Sequence, residues 1–498
     1  MAHYVVTQSC CADASCVVAC PVNCIHPAPG EPGFGTTEML YVDPKTCVGC
    51  GACTTACPVG AIVPDTSLNS AQKPFLQLNA EYYEMFPHED RSPVAHVPAQ
   101  RRLRRPGPFR VAIVGAGPAG LYTADELLAH PEVSSVEVFD QLRTPHGLAR
   151  FGVAPDHQHT KGISDLFAAI EREPRFSYRL GERVGVDITL TQLRETYDAV
   201  VYAVGASADR PLGIPGEDLT GSLAATDVVG WYNGHPEQSD LHVPLGQIAN
   251  PSQRAVIIGN GNVALDVARI LTADPAALAE TSIDHMALET LQHSDLREVV
   301  ILGRRGPAQA AFTAPELIGL AGLEDINVRV EANSTDFDRT TASGRVLADL
   351  AARPQSPDDH RRRIVLRFTT SPVEVTGTRR VTGVLVARNE LIADPDGGVR
   401  AQMTSDTETI EAGIVIRAIG FRGKPVADLP FNEVAGTVPH EQGRVAPGVY
   451  VVGWIKRGPS GFIGTNKTCA QETVSSLLDD LDAGATAMPR PLTARGVA

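Results

Sequence analysis

Nine of the ten cysteines fall between Cys10 and Cys57, and their spacing is the first chemical signal in the chain. Cys47, Cys50, Cys53 and Cys57 follow the order C-x2-C-x2-C-x3-C, with Pro58 immediately after. Three thiolates this close grip one iron–sulfur cube, and the cysteine before the proline reaches the other cluster of a pair. Cys10, Asp13, Cys16 and Cys20, closed by Pro21, repeat the spacing with an aspartate in the second ligand position. Reciprocal exchange then assigns Cys20, Cys47, Cys50 and Cys53 to one 4Fe–4S cluster, and Cys10, Cys16 and Cys57 to a second. Asp13 is either a fourth, harder oxygen ligand or a bystander, so the second cluster is 3Fe–4S or 4Fe–4S. Zinc sites pair short cysteine knuckles across a longer gap, which tandem four-ligand runs do not match. Cys11, Cys24 and the distant Cys469 read as small packed side chains.

Two glycine-rich loops carry the remaining chemistry. Gly115-x-Gly117-x2-Gly120 follows FRVAIVG (109–115), a run expected as a buried parallel strand, and opens an expected helix to about His130. Such glycines allow a tight turn, close approach of a pyrophosphate and close helix–strand packing, with phosphate at the helix N-terminus. Asp140 ends the expected strand SSVEVFD, 20 residues beyond Gly120, where a carboxylate accepts from ribose hydroxyls. Gly259-x-Gly261-x2-Ala264 repeats the device in RAVIIGNGNVALDVARIL (254–271). After its next strand, EVVIL (298–302), come Arg304 and Arg305 in place of an acid. Arginine forks there accommodate a 2′-phosphate and favour NADP.

These loops need parallel sheets to hold them, and the chain divides accordingly. Residues 1–90 hold nine acidic side chains against Lys45 and Lys73, whereas residues 91–110 hold six arginines and no acid. Prolines 93, 98, 106 and 108 oppose helix and sheet, so 91–108 reads as a linker. Its cluster Arg101, Arg102, Arg104 and Arg105 either stays solvated or docks on an acidic surface. The expected fold is α/β multidomain: an N-terminal α+β dicluster domain over 1–90, then two dinucleotide-binding, Rossmann-like α/β domains. A net charge of −15 argues against nonspecific nucleic-acid binding. No apolar run approaches the ~18 residues of a membrane span. The N-terminus lacks the basic and apolar regions of a secretory signal, and unpaired-looking cysteines suit the reducing cytoplasm.

With these pieces in place, VAIVGAGPAG (111–120), GLARFGVAPDH (147–157), IGNGNVALDVARIL (258–271), LGRRGPAQAAFT (302–313) and VVGWIKRGPSGFIGTNK (451–467) closely resemble the adrenodoxin reductase family of ferredoxin–NADP reductases. The N-terminal region resembles the dicluster ferredoxins, with 75–90 similar to the extension of seven-iron members. The whole chain looks like the actinobacterial type in which a ferredoxin precedes that reductase. The resemblance implies FAD on Gly115, Gly117, Ala119, Gly120, Asp140 and Leu148, with Trp454, Gly461, Phe462 and Ile463 beside the isoalloxazine. It implies NADP(H) on Gly261, Asn262, Val263 and Ala264, the 2′-phosphate on Arg304 and Arg305, and further contacts from Arg210 and Glu316. It places the FAD domain at 109–208 plus 420–498 and the NADP domain at 209–419. The implied activity is NADPH-dependent reduction of a ferredoxin or cytochrome P450 system, with electrons passing through FAD and the fused clusters.

Two alternatives are set against this. A disulfide or peroxide reductase needs a reactive cysteine near the flavin, and no cysteine lies between Cys57 and Cys469. A small-subunit-like NADPH electron donor to a larger synthase also joins such cysteines to twin dinucleotide domains, but the GLARFGVAPDH segment argues against it. The resemblance also makes His157 the candidate catalytic residue. In the family this histidine is thought to pair with a glutamate three residues beyond the one at 316, yet position 319 here is Gly319. The expectation is that the carboxylate partner is missing at that place and that His157 tunes hydride transfer modestly.

Overall fold

The computed structural model describes residues 3–87, 94–95, 101–247, 253–332, 336–354, 359–394 and 397–486. Linker residues 91–93 and 96–100, the end of the 75–90 extension (88–90) and residues 487–498 of the expected FAD unit lie outside the described residues.

In the N-terminal part, two ribbons frame two five-residue helices. Tyr4–Val6 pairs with Ile62–Pro64, and Ile25–His26 pairs with Tyr41–Val42. The helices Ser15–Ala19 and Ala52–Ala56 are related by an internal repeat. Each is entered through a left-handed residue, Ala14 at φ 61 and Gly51 at φ 79. Each ends on a cysteine with φ −77 and ψ 116, Cys20 and Cys57, ahead of a proline that cannot continue the helix. The helix Pro74–Met85 closes this part. Its buried Asn79 accepts from the N–H groups of Val6 and Val42 and donates to the carbonyls of Val6 and Phe75. That amide is fully satisfied and ties both ribbons to the helix.

Two six-stranded sheets follow. The first runs in the order Arg444–Ala446, Val449–Val451, Ala199–Tyr202, Phe109–Val114, Val133–Asp140, Phe176–Leu180, parallel except for its first pair. The expected strands at 109–115 and 134–140 are found almost residue for residue, followed by the helix Pro118–Leu128. The second sheet is parallel throughout: Ser222–Ala224, Ile414–Arg417, Arg254–Ile258, Glu298–Leu302, Arg363–Arg367, Asn327–Glu331. Central strands of both are buried on both faces, as helix-covered parallel sheets require. An antiparallel sheet of Thr370–Gly377, Val381–Ala393 and Val399–Glu411 packs beside the second. Where the chain crosses between the two large sheets, Ala208–Asp209 pairs antiparallel with Phe421–Arg422.

The arginine cluster docks. Arg101 bonds Asp479 and, at 2.8 Å, Asp482; the N–H of Arg104 donates to Asp482 at 2.7 Å. Arg105 donates to the Leu481 carbonyl at 3.0 Å. Cations here meet the C-terminal end of the helix Thr465–Ala483, where carbonyls and helix dipole favour positive charge. No helix among the described residues is long and apolar enough to cross a membrane.

Candidate redox site

Gly115 and Gly259 hold the same place in the two loops, with φ 114 and 108. A Cβ there would fall 2.5 Å from the Ala203 carbonyl oxygen and 2.2 Å from that of Ala418, so both turns demand glycine. Gly117 and Gly261 are the N-caps of Pro118–Leu128 and Asn262–Thr272, with nearly superimposable backbones (φ −84, ψ −178 and φ −86, ψ 180). Neither helix has a side-chain cap, which leaves first-turn N–H groups for an anion. Nothing lies within 4 Å of a Cβ on Gly261, and only the Gly147 Cα comes as near as 4.0 Å to one on Gly117. The two loops therefore offer open cradles suited to a pyrophosphate. Gly120 and Ala264 do different work, packing helix against strand: a Cβ on Gly120 would sit 2.0 Å from the Gly115 oxygen, and Ala264 is fully buried.

Asp140 stands at the end of its strand, accepting from the N–H groups of Ala116 at 2.7 Å and Leu142 at 2.8 Å. Burial raises its pKa, against those two bonds. Each oxygen keeps acceptor capacity for a ribose hydroxyl. Around the same mouth, Ala119 touches the Gly453 turn that presents Trp454. The Trp454 indole donates to the Ser460 carbonyl at 3.1 Å and stacks on Phe421 at 5.8 Å between centroids. Gly461 (φ 78) opens the turn in which the Phe462 N–H bonds Thr465 Oγ1, and Ile463 accepts from Asn466. Leu148 is half exposed, an apolar side chain left available to a flat ring system.

At the second loop, Asn262 accepts from the Thr313 N–H at 2.8 Å, tying the helix start to the Ala314–Ala321 helix, and Val263 follows in the first turn. Arg304 is exposed and Arg305 partly so; their carbonyls are pinned by Asn389 and Thr369. Neither guanidinium has an ion pair with a carboxylate among the described residues. Arg210, also exposed, is held only loosely, through Nε to the Phe421 carbonyl at 3.4 Å.

His157 lies elsewhere than a partnerless surface. One ligand atom each of His157, Asp266 and Glu316 lies within 4.8 Å of the others. Position 319 has no carboxylate, as the sequence shows, but Asp266 and Glu316 bring two near His157 from neighbouring helices. Behind them Arg269, buried, forks onto Asp156 at 2.7 and 2.9 Å and reaches Asp266 at 2.8 Å. Burial, then the Asp266 charge, push the Glu316 pKa up, while His157, Arg269 and a hydrogen bond from Gln8 oppose them. That bond, Gln8 Nε2 to Glu316 Oε2 at 2.7 Å, comes from the cysteine-rich part. Neither Gln8 nor the Asp156–Arg269–Asp266 chain was visible in motif spacing, because isolated polar residues gain meaning only through tertiary contact.

The cysteines of the two runs lie close to one another. Cys10 feels the charges of Cys57 and Asp13, Cys16 those of Cys10, Asp13, Cys57 and Cys53, and Cys53 those of Cys47, Cys20 and Cys50. Burial pushes the Cys10 and Cys53 thiols up to about 11, with neighbouring thiolates adding to it. Asp13 accepts from the Ser15 N–H at 3.3 Å and its hydroxyl, with Lys467 Nζ 4.0 Å away. Cys11 packs as expected, into the core beneath the first sheet. Cys24 does more than pack: its Sγ is 3.4 Å from that of Cys20, a hydrogen bond that lowers the Cys20 pKa and raises its own.

The two kinds of site adjoin. The Gly464 N–H donates to the Cys11 carbonyl at 2.7 Å, directly after Gly461–Phe462–Ile463, and Lys467 Nζ bonds Ser15 Oγ at 3.3 Å. Glu38 accepts from the Ala314 N–H at 2.9 Å, and Arg345 forks onto Glu81 at 2.5 and 2.6 Å.

Comparison with known proteins agrees with this geometry. A model of the pyridine nucleotide-disulphide oxidoreductase family matches residues 109–306, and one of the 4Fe-4S binding domain matches 40–63. A probable ferredoxin/ferredoxin–NADP reductase of Mycobacterium tuberculosis (strain ATCC 25618 / H37Rv) is 47% identical over 97% of this chain and 84% of its own. This chain belongs to the ferredoxin–NADP reductase family. Within it, the mitochondrial NADPH:adrenodoxin oxidoreductase of Arabidopsis thaliana is 40% identical over 76% of this chain and 83% of its own. The solved structure of Mycobacterium tuberculosis FprA in complex with NADPH superposes with a TM-score of 0.70 at 45% identity, covering 76% of this chain and 85% of that one. The multidomain α/β architecture and the iron–sulfur region ahead of the dinucleotide loops are thus those of a ferredoxin–NADP reductase.

Proposed function

We propose that this chain is an NADPH-dependent ferredoxin reductase with FAD in the first loop and two clusters in the N-terminal part. FAD held in the first loop would supply two-electron acceptance from NADPH and one-electron release, which suits iron–sulfur acceptors. The residues of the chain bind, orient and insulate. Gly115 and Gly117 admit the FAD pyrophosphate, Gly120 lets the helix pack close behind it, Asp140 takes the ribose, and Leu148, Trp454 and Gly461–Ile463 border the ring. Gly261, Asn262, Val263 and Ala264 begin the helix that faces the NADP phosphates, Arg304 and Arg305 hold the 2′-phosphate, and Arg210 and Glu316 complete the pocket. His157 stands beside Glu316 as a tuning group. The FAD unit is 109–208 with 420–498, and the NADP unit 209–419.

One cluster, of the 4Fe–4S type, belongs to Cys20, Cys47, Cys50 and Cys53. The other belongs to Cys10, Cys16 and Cys57. The hydrogen bonds from Ser15 to Asp13, with the Lys467 ammonium 4.0 Å away, favour a bystander carboxylate and a 3Fe–4S cluster. The observation that carries the reading is the Gly464–Cys11 bond, which sets the expected flavin border against the first cysteine run. The acceptor is a redox protein in the cytoplasm, a ferredoxin or a cytochrome P450 system. Anaerobic NADPH titration of the purified full chain tests this. Flavin absorbance should bleach and reduced-cluster paramagnetic resonance signals should follow; bleaching with clusters left oxidised, and no reduction of added ferredoxin, would refute it.

A further inference from the structure

Gly319 sits inside the helix Ala314–Ala321 without a positive φ, so its backbone has no need of glycine. Glycine is also a poor helix former. What the position needs is space. A Cβ there would lie 2.4 Å from Gln8 Oε1, 2.5 Å from Nε2 and 2.6 Å from Cδ. Glu316 is one helical turn earlier on the same face, and the Gln8 amide lies across that face with Nε2 2.7 Å from Glu316 Oε2. We propose that Gln8, inserted by the iron–sulfur part, is a positioning residue of the reductase site that fixes the Glu316 carboxylate toward the bound dinucleotide. The inference rests on the reading of Glu316 as an NADP(H) contact.

The groups facing Glu316 are Asp266 and Arg269 from the Asn262–Thr272 helix, His157 from the 147–157 segment, and Gln8. Asp156 faces Arg269 from behind. Gln8 is the neutral donor among them. It holds one oxygen of Glu316 and favours its ionised form, which accepts a hydrogen bond from a carboxamide. Two routes remove it. Gln8→Ala deletes the donor. Gly319→Ala improves helix propensity but pushes the amide out of its place, so a merely structural role for Gln8 predicts lost stability with NADP+ affinity unchanged.

The test is the NADP+ dissociation constant of the FAD-loaded full chain, read from perturbation of the flavin absorption between about pH 5.5 and 9. Gln8→Ala and Gly319→Ala should each weaken NADP+ about tenfold, the scale of one hydrogen bond to a charged group. Both should move the pH dependence of binding to higher pH, with iron content unchanged. Glu316→Gln should weaken binding and flatten that dependence. If Glu316→Gln weakens NADP+ while both other variants bind as wild type at every pH, the role of Gln8 is overturned and the reading of Glu316 stands. If Glu316→Gln itself binds as wild type, that reading fails and the inference with it.

Discussion

Gly464 meets Cys11 backbone to backbone, its N–H donating to the cysteine carbonyl at 2.7 Å. Its φ of −69 is ordinary, yet a Cβ would fall 2.3 Å from Ala12 C and Asp13 N. The glycine is there to let two chain segments touch.

Gly464→Ala therefore forces these segments apart at a cost of about 1–3 kcal/mol, the range for overpacking. The expected outcome is a lower denaturation midpoint and slower reduction of the clusters, with flavin reduction by NADPH nearly unchanged. Stopped-flow absorbance separates the two steps; equal slowing of both would contradict the contact's role.

Replacing Arg304 and Arg305 with glutamine removes charge-assisted bonds worth ~1.5–3 kcal/mol each. NADPH affinity should fall on the order of ten- to a hundredfold per arginine, and NADH should change little. An unaltered NADPH/NADH preference in the double variant sinks the assignment.

Asp13→Cys puts a soft ligand at the second position of the first run. The three-iron paramagnetic resonance signal of the oxidised protein should give way to a second 4Fe–4S signal on reduction. A wild-type protein with no three-iron signal under any oxidising treatment would count against the bystander carboxylate.

Asp156→Asn breaks the fork onto buried Arg269. Burial works against the Asp156 charge, but the Arg269 bond and charge prevail and lower its pKa. A lowered native value means stability fully present above the unfolded pKa of about 3.9 and lost as pH falls through the folded one. The variant should lose about 2–3 kcal/mol at pH 7, less than a wholly buried pair, since Arg269 keeps Asp266 and a quarter of Asp156 meets water. Denaturant titrations should show that difference shrinking below about pH 4.

The legible parts of the sequence are those where chemistry fixes spacing. Cysteine runs, glycine turns and the apolar strands before them were read to within a residue or two, because a cluster or a left-handed turn tolerates few alternatives. The antiparallel sheet from Thr370 to Glu411 was not read; its last strand is largely exposed and carries little apolar alternation. The partners of His157 were missed for a different reason. Asp266 and Glu316 are 50 residues apart in sequence and meet only when their helices pack, and Gln8 arrives from the far end of the chain. The absence of an acid at 319 is plain in the sequence, but that a side chain there would meet Gln8 is not.

The short ribbon of Ala208–Asp209 and Phe421–Arg422 bundles both crossings between the large sheets into one hydrogen-bonded strip. The N-terminal part holds the first-sheet side through Cys11 and Ser15, and the second-sheet side through Gln8, Glu38 and Glu81. It therefore cross-links the two large sheets independently of that ribbon, so the two sides stay joined even where the ribbon's own hydrogen bonds are broken.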